Sequence, residues 1–124
     1  MLRRDYRHNF PVSLWAAAKD EARRAMISRA TRRGLITYSE LVSEIGSITL
    51  EPHDTRLFHF LGQISSEEDD EGRGMLTAIV VHKGDMQPGP GFFQLAKDRG
   101  RNTSDPLRLW SEELERVYAV WAKR

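Results

Sequence analysis

The chain has 124 residues, no cysteine and a formal net charge of +1. A chain of that length suits one domain and can bury roughly two-thirds of its unfolded surface, enough for a core without covalent staples. The lack of cysteine excludes disulfides, thiolate metal sites and thiol nucleophiles, and fits a reducing compartment.

The charged opening over residues 1–8 has no apolar segment of the signal-peptide kind, and runs such as residues 78–81 are far too short to cross a bilayer. The expectation is a soluble, cytoplasmic protein with no membrane role. Charge is unevenly distributed. Residues 1–33 hold nine Lys or Arg against three acids, residues 34–72 hold nine acids against Arg56 alone, and residues 73–124 hold nine basic against six acidic residues. Such segregation can steer a polyanion to one face, or it can be an internal dipole in which a basic helix docks on an acidic segment.

In chain order, Leu14, Trp15, Ala18, Ala22, Ala25, Met26 and Ala30 recur at helical spacing and predict a helix over residues 13–33, with Gly34 as its left-handed stop. Lys19, Arg23 and Arg24 fall on its other side. Thr37-Tyr-Ser-Glu40 reads as a capping box, with Ile36 and Leu41 as a hydrophobic staple, and predicts a short second helix ending at Gly46. A third helix is expected from near Asp54, with Leu57, Phe58, Leu61 and Ile64 on one face. It should dissolve into the acidic run at residues 65–71, where like charges repel and stay solvated.

The β-branched apolar run over residues 75–82 predicts a strand. A turn at Lys83-Gly-Asp85 and a rigid loop, Gln87-Pro-Gly-Pro-Gly91, should lead to a return strand at Phe92 and Phe93, closing an antiparallel hairpin. A last helix over residues 105–123 is expected, with Asp105 as N-cap and Pro106 at its first position. Its stripe of Leu107, Trp110, Leu114, Val117, Tyr118 and Trp121 faces inward, with Glu112, Glu113, Glu115 and Arg116 outside.

The motifs of catalysis are missing. The sequence has no HExxH, no GxSxG, no phosphate-cradling GxxxxGK and no metal spacing among His8, His53, His59 and His82. Neither catalytic residues nor a metal or other cofactor is expected. The whole reads as a mostly helical α+β domain. A winged helix-turn-helix-like core at about residues 35–100, with a small antiparallel hairpin as wing, is flanked by N- and C-terminal helices.

More specifically, "ITYSELVSEIG" at residues 36–46 resembles the "VTYGxLAxxxG" opening of the DNA-binding domain of alkylguanine-DNA alkyltransferases and their alkyltransferase-like relatives. "AIVVHKG" at residues 78–84 resembles their "PCHRVxxxxG" or "PWHRVxxxxG" segment, and "FQLA" at residues 93–96 their "LLxxEG" helix. The resemblance implies DNA binding in which Tyr38 and Arg56 help rotate a base out of the stack, with His82 as the family's histidine. Val81 stands where the nucleophilic cysteine belongs, which implies binding without alkyl transfer. The pattern around "GMLTAIVVHKGDMQPGPGFF" also resembles small bacterial proteins sharing "YxELA…LTxxVVxKxxxxPGxGF", which adds a fold expectation and no activity.

Two uses follow. In one, Arg23, Arg24, Arg32 and Arg33 hold DNA phosphates and the wing residues Lys83 and Gln87 enter a groove, with Tyr38 and Arg56 in the roles the resemblance implies. In the other, the chain is a homodimer or an accessory subunit, with Pro88, Gly89, Pro90 and Gly91 or the Trp110 and Trp121 stripe as interface.

Overall fold

The computed structural model describes residues 6, 7 and 10–122. His8, most of the charged opening and the end of the last predicted helix at residue 123 lie outside them. Its elements run β1 (Tyr6–Arg7), β2 (Phe10–Pro11), α1 (Val12–Ala30), β3 (Ile36–Thr37), α2 (Tyr38–Ser43), α3 (Thr55–Asp70), a 3-10 helix (Leu76–Ile79), β4 (Val80–Val81), α4 (Pro90–Asp98) and α5 (Pro106–Trp121). The fold is mostly helical α+β. No helix among the described residues is long and apolar enough to cross a membrane.

Helix α1 buries Trp15, Ala18, Ala22, Met26 and Ala30, a stripe at three- and four-residue spacing. Alanines let neighbouring elements approach closely, and Trp15 meets Phe60 edge-on at 5.2 Å. Leu14, expected in the stripe, is exposed. The helix stops through Arg33, which takes the left-handed conformation (φ 55°) that the sequence suggests for Gly34. The Gly34 amide instead closes back on the Arg29 carbonyl at 3.1 Å.

The capping box forms as expected: Thr37 Oγ1 accepts from the Glu40 amide at 3.1 Å, and the Thr37 amide donates to Glu40 Oε1 at 3.0 Å. Helix α2 then lasts only six residues. Asp54 caps α3 by accepting from the Arg56 amide at 2.8 Å.

Residues 65–71 depart from expectation, since α3 continues through the acidic run to Asp70. Ser65 and Glu68 are buried there. The charges do not repel the chain into a loop because cations from elsewhere in the chain and from Arg73 nearby neutralise them. Glu67 meets Lys19 and Arg23, Glu68 meets Arg73, and Asp69 meets Arg99 and Arg101. The uneven charge along the sequence is therefore largely an internal dipole.

The predicted hairpin does not form. Leu76–Ile79 is a wholly buried 3-10 turn packed among α1, α3 and α5, and Val80–Val81 is the part of the run that pairs as a strand. That pair lies parallel to β3, with Ile36 opposite Val80 and Thr37 opposite Val81. Phe92 and Phe93 lie inside α4, which Pro90 starts, so they build no return strand and no wing. The antiparallel pairing that does exist joins β1 to β2, at the other end of the sequence.

Helix α5 starts at Asp105 and Pro106 as expected. Its buried face carries Leu109, Glu113, Val117 and Tyr118, whereas Leu107 is exposed. A smaller apolar cluster of Met75, Ala78, Phe92, Ala96 and Leu109 seats α4.

Candidate binding site

The parallel register of β3 and β4 has one consequence for function. The chain leaves both strands side by side, so the next residue of each, Tyr38 and His82, face one another. Their rings stand 4.7 Å apart at an interplanar angle of 39°. Tyr38 begins α2 and is buried, and its hydroxyl accepts a hydrogen bond from the Gly89 amide at 3.1 Å. Burial raises the phenol's pKa above its ordinary value, partly offset by the Gly89 bond.

A tight turn follows His82. The His82 amide donates to the Gln87 carbonyl (2.9 Å), the Met86 amide to the His82 carbonyl (2.8 Å), and the Gln87 amide to Asp85 Oδ1 (3.0 Å). Pro88 and Gly89 are then buried before Pro90 opens α4. Gly89 is required by space, not backbone angle: a Cβ there would lie 3.0 Å from His82 Nε2 and 3.2 Å from Tyr38 Oη. A Cβ on Gly91 would lie 2.7 Å from Phe58 Cδ1. The glycines of this loop thus let it close over two aromatic rings.

A cavity of about 280 Å³ opens at this corner, between Tyr38, Leu57, Phe58, His82, Lys83 and Pro90, with His53 and Asp54 at the start of α3 also on its wall. A second cleft of about 640 Å³ shares Tyr38 and Phe58 and runs between α3 and α4. Phe58, expected in the core, is 45% exposed where the two spaces share it.

The other residues singled out in the sequence are placed as follows. Arg56 is held by Asp54 through Nε (3.1 Å to both oxygens) and Nη2 (2.7 Å), with its guanidinium 4.8 Å from the Phe10 ring centroid. That pairing draws the Asp54 carboxyl below its usual pKa. Arg56 is therefore a neutralised neighbour of the cavity, through Asp54. Arg23 pairs with Glu67 at 2.7 Å, and Arg33 pairs with Glu115 at 2.6 Å and lies over the Tyr118 ring. Arg24 and Arg32 are exposed, make no ion pair among the described residues, and flank a separate cleft of about 480 Å³ beside α2. Lys83 and Gln87 are exposed on the turn.

Trp110 and Trp121 are partly buried against this chain's own core, and Trp110 Nε1 donates to the Ala78 carbonyl at 2.8 Å. Pro90 is exposed and Gly91 is half-buried.

Sequence reasoning overlooked Phe58 as a surface residue and the closeness of Gly89 to two rings. The glycine-proline spacing was the available signal for the latter. Among the described residues no three His, Asp or Glu side chains gather as a metal site. Chemically, the cavity offers aromatic and imidazole surfaces, an ammonium at its edge and a phenol whose hydroxyl accepts from the Gly89 amide. Comparison with family models, with curated proteins and with solved structures finds no match.

Proposed function

We propose that the protein is a non-catalytic nucleic-acid-binding module that holds one unstacked base in the Tyr38–His82 cavity. The observation that carries this reading is the contact of Tyr38 with His82 at 4.7 Å. They come from the two separate segments whose resemblance to alkyltransferases implies base handling, and they border one cavity. Planar bases bind against such ring surfaces, each worth about 1–3 kcal/mol, with little regard to sequence. Val81, at the position of the family's cysteine, is buried aliphatic surface and offers no nucleophile.

The reading changes where the nucleic acid sits. The arginines Arg23 and Arg33 are spent on carboxylates, and α2 and α3 would act as a helix pair without a wing. Lys83, Arg24 and Arg32 are the cations of that set that form no ion pair among the described residues. With so few phosphate contacts, the logarithmic salt slope should be shallow, roughly −2 to −3 at about −0.9 per contact.

The test is equilibrium binding at about 50 mM salt to two duplexes, one fully paired and one with a single bulged purine. The bulged duplex should bind more tightly, and Tyr38→Ala should erase the preference. Equal affinity for both duplexes, or no binding to either, overturns the reading.

One observation favours a second use. Phe58 is exposed at the mouth of the α3–α4 cleft, which suits contact with a protein, as an adaptor or in a homodimer. Concentration-dependent sedimentation that disappears in Phe58→Ser, without DNA affinity, would select it.

A further inference from the structure

Ion pairing on this surface is nearly complete, and its exceptions lie together. Between residues 10 and 122, every arginine has a carboxylate partner among the described residues except Arg24 and Arg32. Both are exposed, and both line the cleft of about 480 Å³ beside α2. Ser28 stands between them on the same wall, one helical turn (about 6 Å along the axis) from each. The Arg32 amide still donates to the Arg29 carbonyl at 3.1 Å, so the coil runs on past Ala30 and keeps the three in line. The other charges of the cleft are mostly engaged. Glu21 Oε1 accepts the Ser47 amide at 2.9 Å and the Gly46 amide at 3.2 Å, and these bonds, with Arg24 nearby, hold its carboxyl below the ordinary range. Arg29 donates to the Leu35 carbonyl and to Glu40. Glu44 opposes an anion, and the two unpaired guanidiniums outweigh it.

We infer that the Arg24–Ser28–Arg32 cleft takes a phosphate monoester, the phosphorylated end of a nucleic-acid strand, in preference to a backbone diester. A monoester carries a charge of about −1.5 to −2 and three strong acceptor oxygens, which two guanidiniums and a hydroxyl match. Guanidiniums grip such oxygens in pairs. A diester within a strand carries a single charge and must leave a concave site on both sides. Ile36 lines the cleft and Tyr38 the base cavity. Two residues apart, they lie no more than about 7 Å from each other along the backbone, so one short strand reaches both sites. The inference rests on the nucleic-acid reading for the source of the phosphate, and the cleft itself is separate from the base cavity.

The experiment uses the full chain as wild type, Arg24→Ala, Arg32→Ala and Tyr38→Ala. The probes are duplexes with and without a bulged purine near one end, that end carrying either hydroxyls or a terminal phosphate on one strand or the other. Inorganic phosphate is the competitor. One of the two terminal phosphates should tighten binding by about tenfold, equivalent to about 1.4 kcal/mol. The gain should fade below about pH 6, where a monoester loses its second charge and a diester does not change. Among the described residues no histidine lines the cleft, so that titration belongs to the ligand. Arg24→Ala and Arg32→Ala should each remove the gain while melting like wild type.

If a terminal phosphate brings no gain, or the gain survives in both arginine variants, the inference fails, and a bulge preference lost in Tyr38→Ala still upholds the cavity reading. If the gain depends on the arginines and the bulge brings nothing, the cavity reading falls and the cleft stands. If inorganic phosphate binds as tightly as the phosphorylated strand, the cleft serves a free anion and the strand-end assignment is overturned. Loss of the gain together with a lower melting temperature would make the two arginines structural and overturn it as well.

Discussion

The Tyr38 hydroxyl accepts the Gly89 amide at 3.1 Å, tying the first residue of α2 to the residue that precedes α4. Gly89 is buried, so its amide depends on the phenol for a partner within the protein. The bond also holds the loop down over the cavity, with His82 alongside.

Replacing Tyr38 by Phe keeps the ring and removes the acceptor. A buried amide left without a partner costs about 1–3 kcal/mol. The urea midpoint should fall by that equivalent with an unchanged denaturant slope. Base binding, carried by the ring, should survive better than in Tyr38→Ala. A midpoint equal to wild type would show that the Gly89 amide finds another acceptor.

Gly89→Ala tests the same corner from the other side. The added methyl would meet His82 Nε2 at 3.0 Å and Tyr38 Oη at 3.2 Å. The exposed His82 ring can swing aside, but the buried phenol has little room. A loss of about 1–3 kcal/mol is expected for overpacking of this kind. Combining it with His82→Ala should recover part of that loss, a coupling of at least about 0.5 kcal/mol in a double-mutant cycle. Strict additivity would mean that the methyl is accommodated elsewhere.

Acid should weaken the protein through Asp69. Hydrogen bonds from Arg101 and Arg99 outweigh the cost of burial and hold its carboxyl at a pKa of about 2. A carboxyl whose folded pKa is depressed stabilises the fold above its unfolded pKa and loses that contribution as pH falls through the folded value. The window is therefore about pH 4 down to about pH 2. The contribution is on the order of 2 kcal/mol. Unfolding measured between pH 5 and 2 should show a steeper decline for wild type than for Asp69→Asn, which starts lower at pH 5. Parallel curves would remove Asp69 from the account.

What the sequence revealed were the features decided locally. The Thr37–Glu40 capping box, the Asp105 cap and Pro106 all act within a turn of the residues they stabilise, and each is found where expected, as is the start of α3 near Asp54. What it hid depends on residues far apart. An isolated acidic run should stay open, yet residues 67–70 fold as helix because Lys19, Arg23, Arg99 and Arg101 arrive from elsewhere. The apolar run at residues 75–81 reads as strand, but buried on every side it can equally be a 3-10 turn with a two-residue parallel strand. At the candidate site, Tyr38 and His82 were singled out from the sequence one at a time. Their contact follows from the β3–β4 register, which no local rule specifies.

Glu113 makes the sharpest case of a residue misplaced by pattern alone, since it sits among the charged residues of α5 and yet is 1% exposed. Its Oε2 accepts the Met75 amide at 2.8 Å and Arg101 Nη2 at 3.0 Å, and its Oε1 accepts Arg101 Nε at 3.2 Å. Gly74 makes this approach possible. It has φ 84°, and a Cβ there would lie 3.2 Å from Glu113 Oε2. Glu113→Ala strips a buried amide and a partly buried guanidinium of their acceptor at once, and breaking a buried pair in this way costs about 3–5 kcal/mol. Glu113→Gln keeps the shape and one carbonyl oxygen, and Arg101 retains Asp69 at 2.7 Å, so its loss should be clearly smaller. Chemical denaturation of the two variants gives the order directly. If Glu113→Ala loses less than about 1 kcal/mol, water reaches the site and the junction of α5 with the 3-10 turn is held by apolar packing alone.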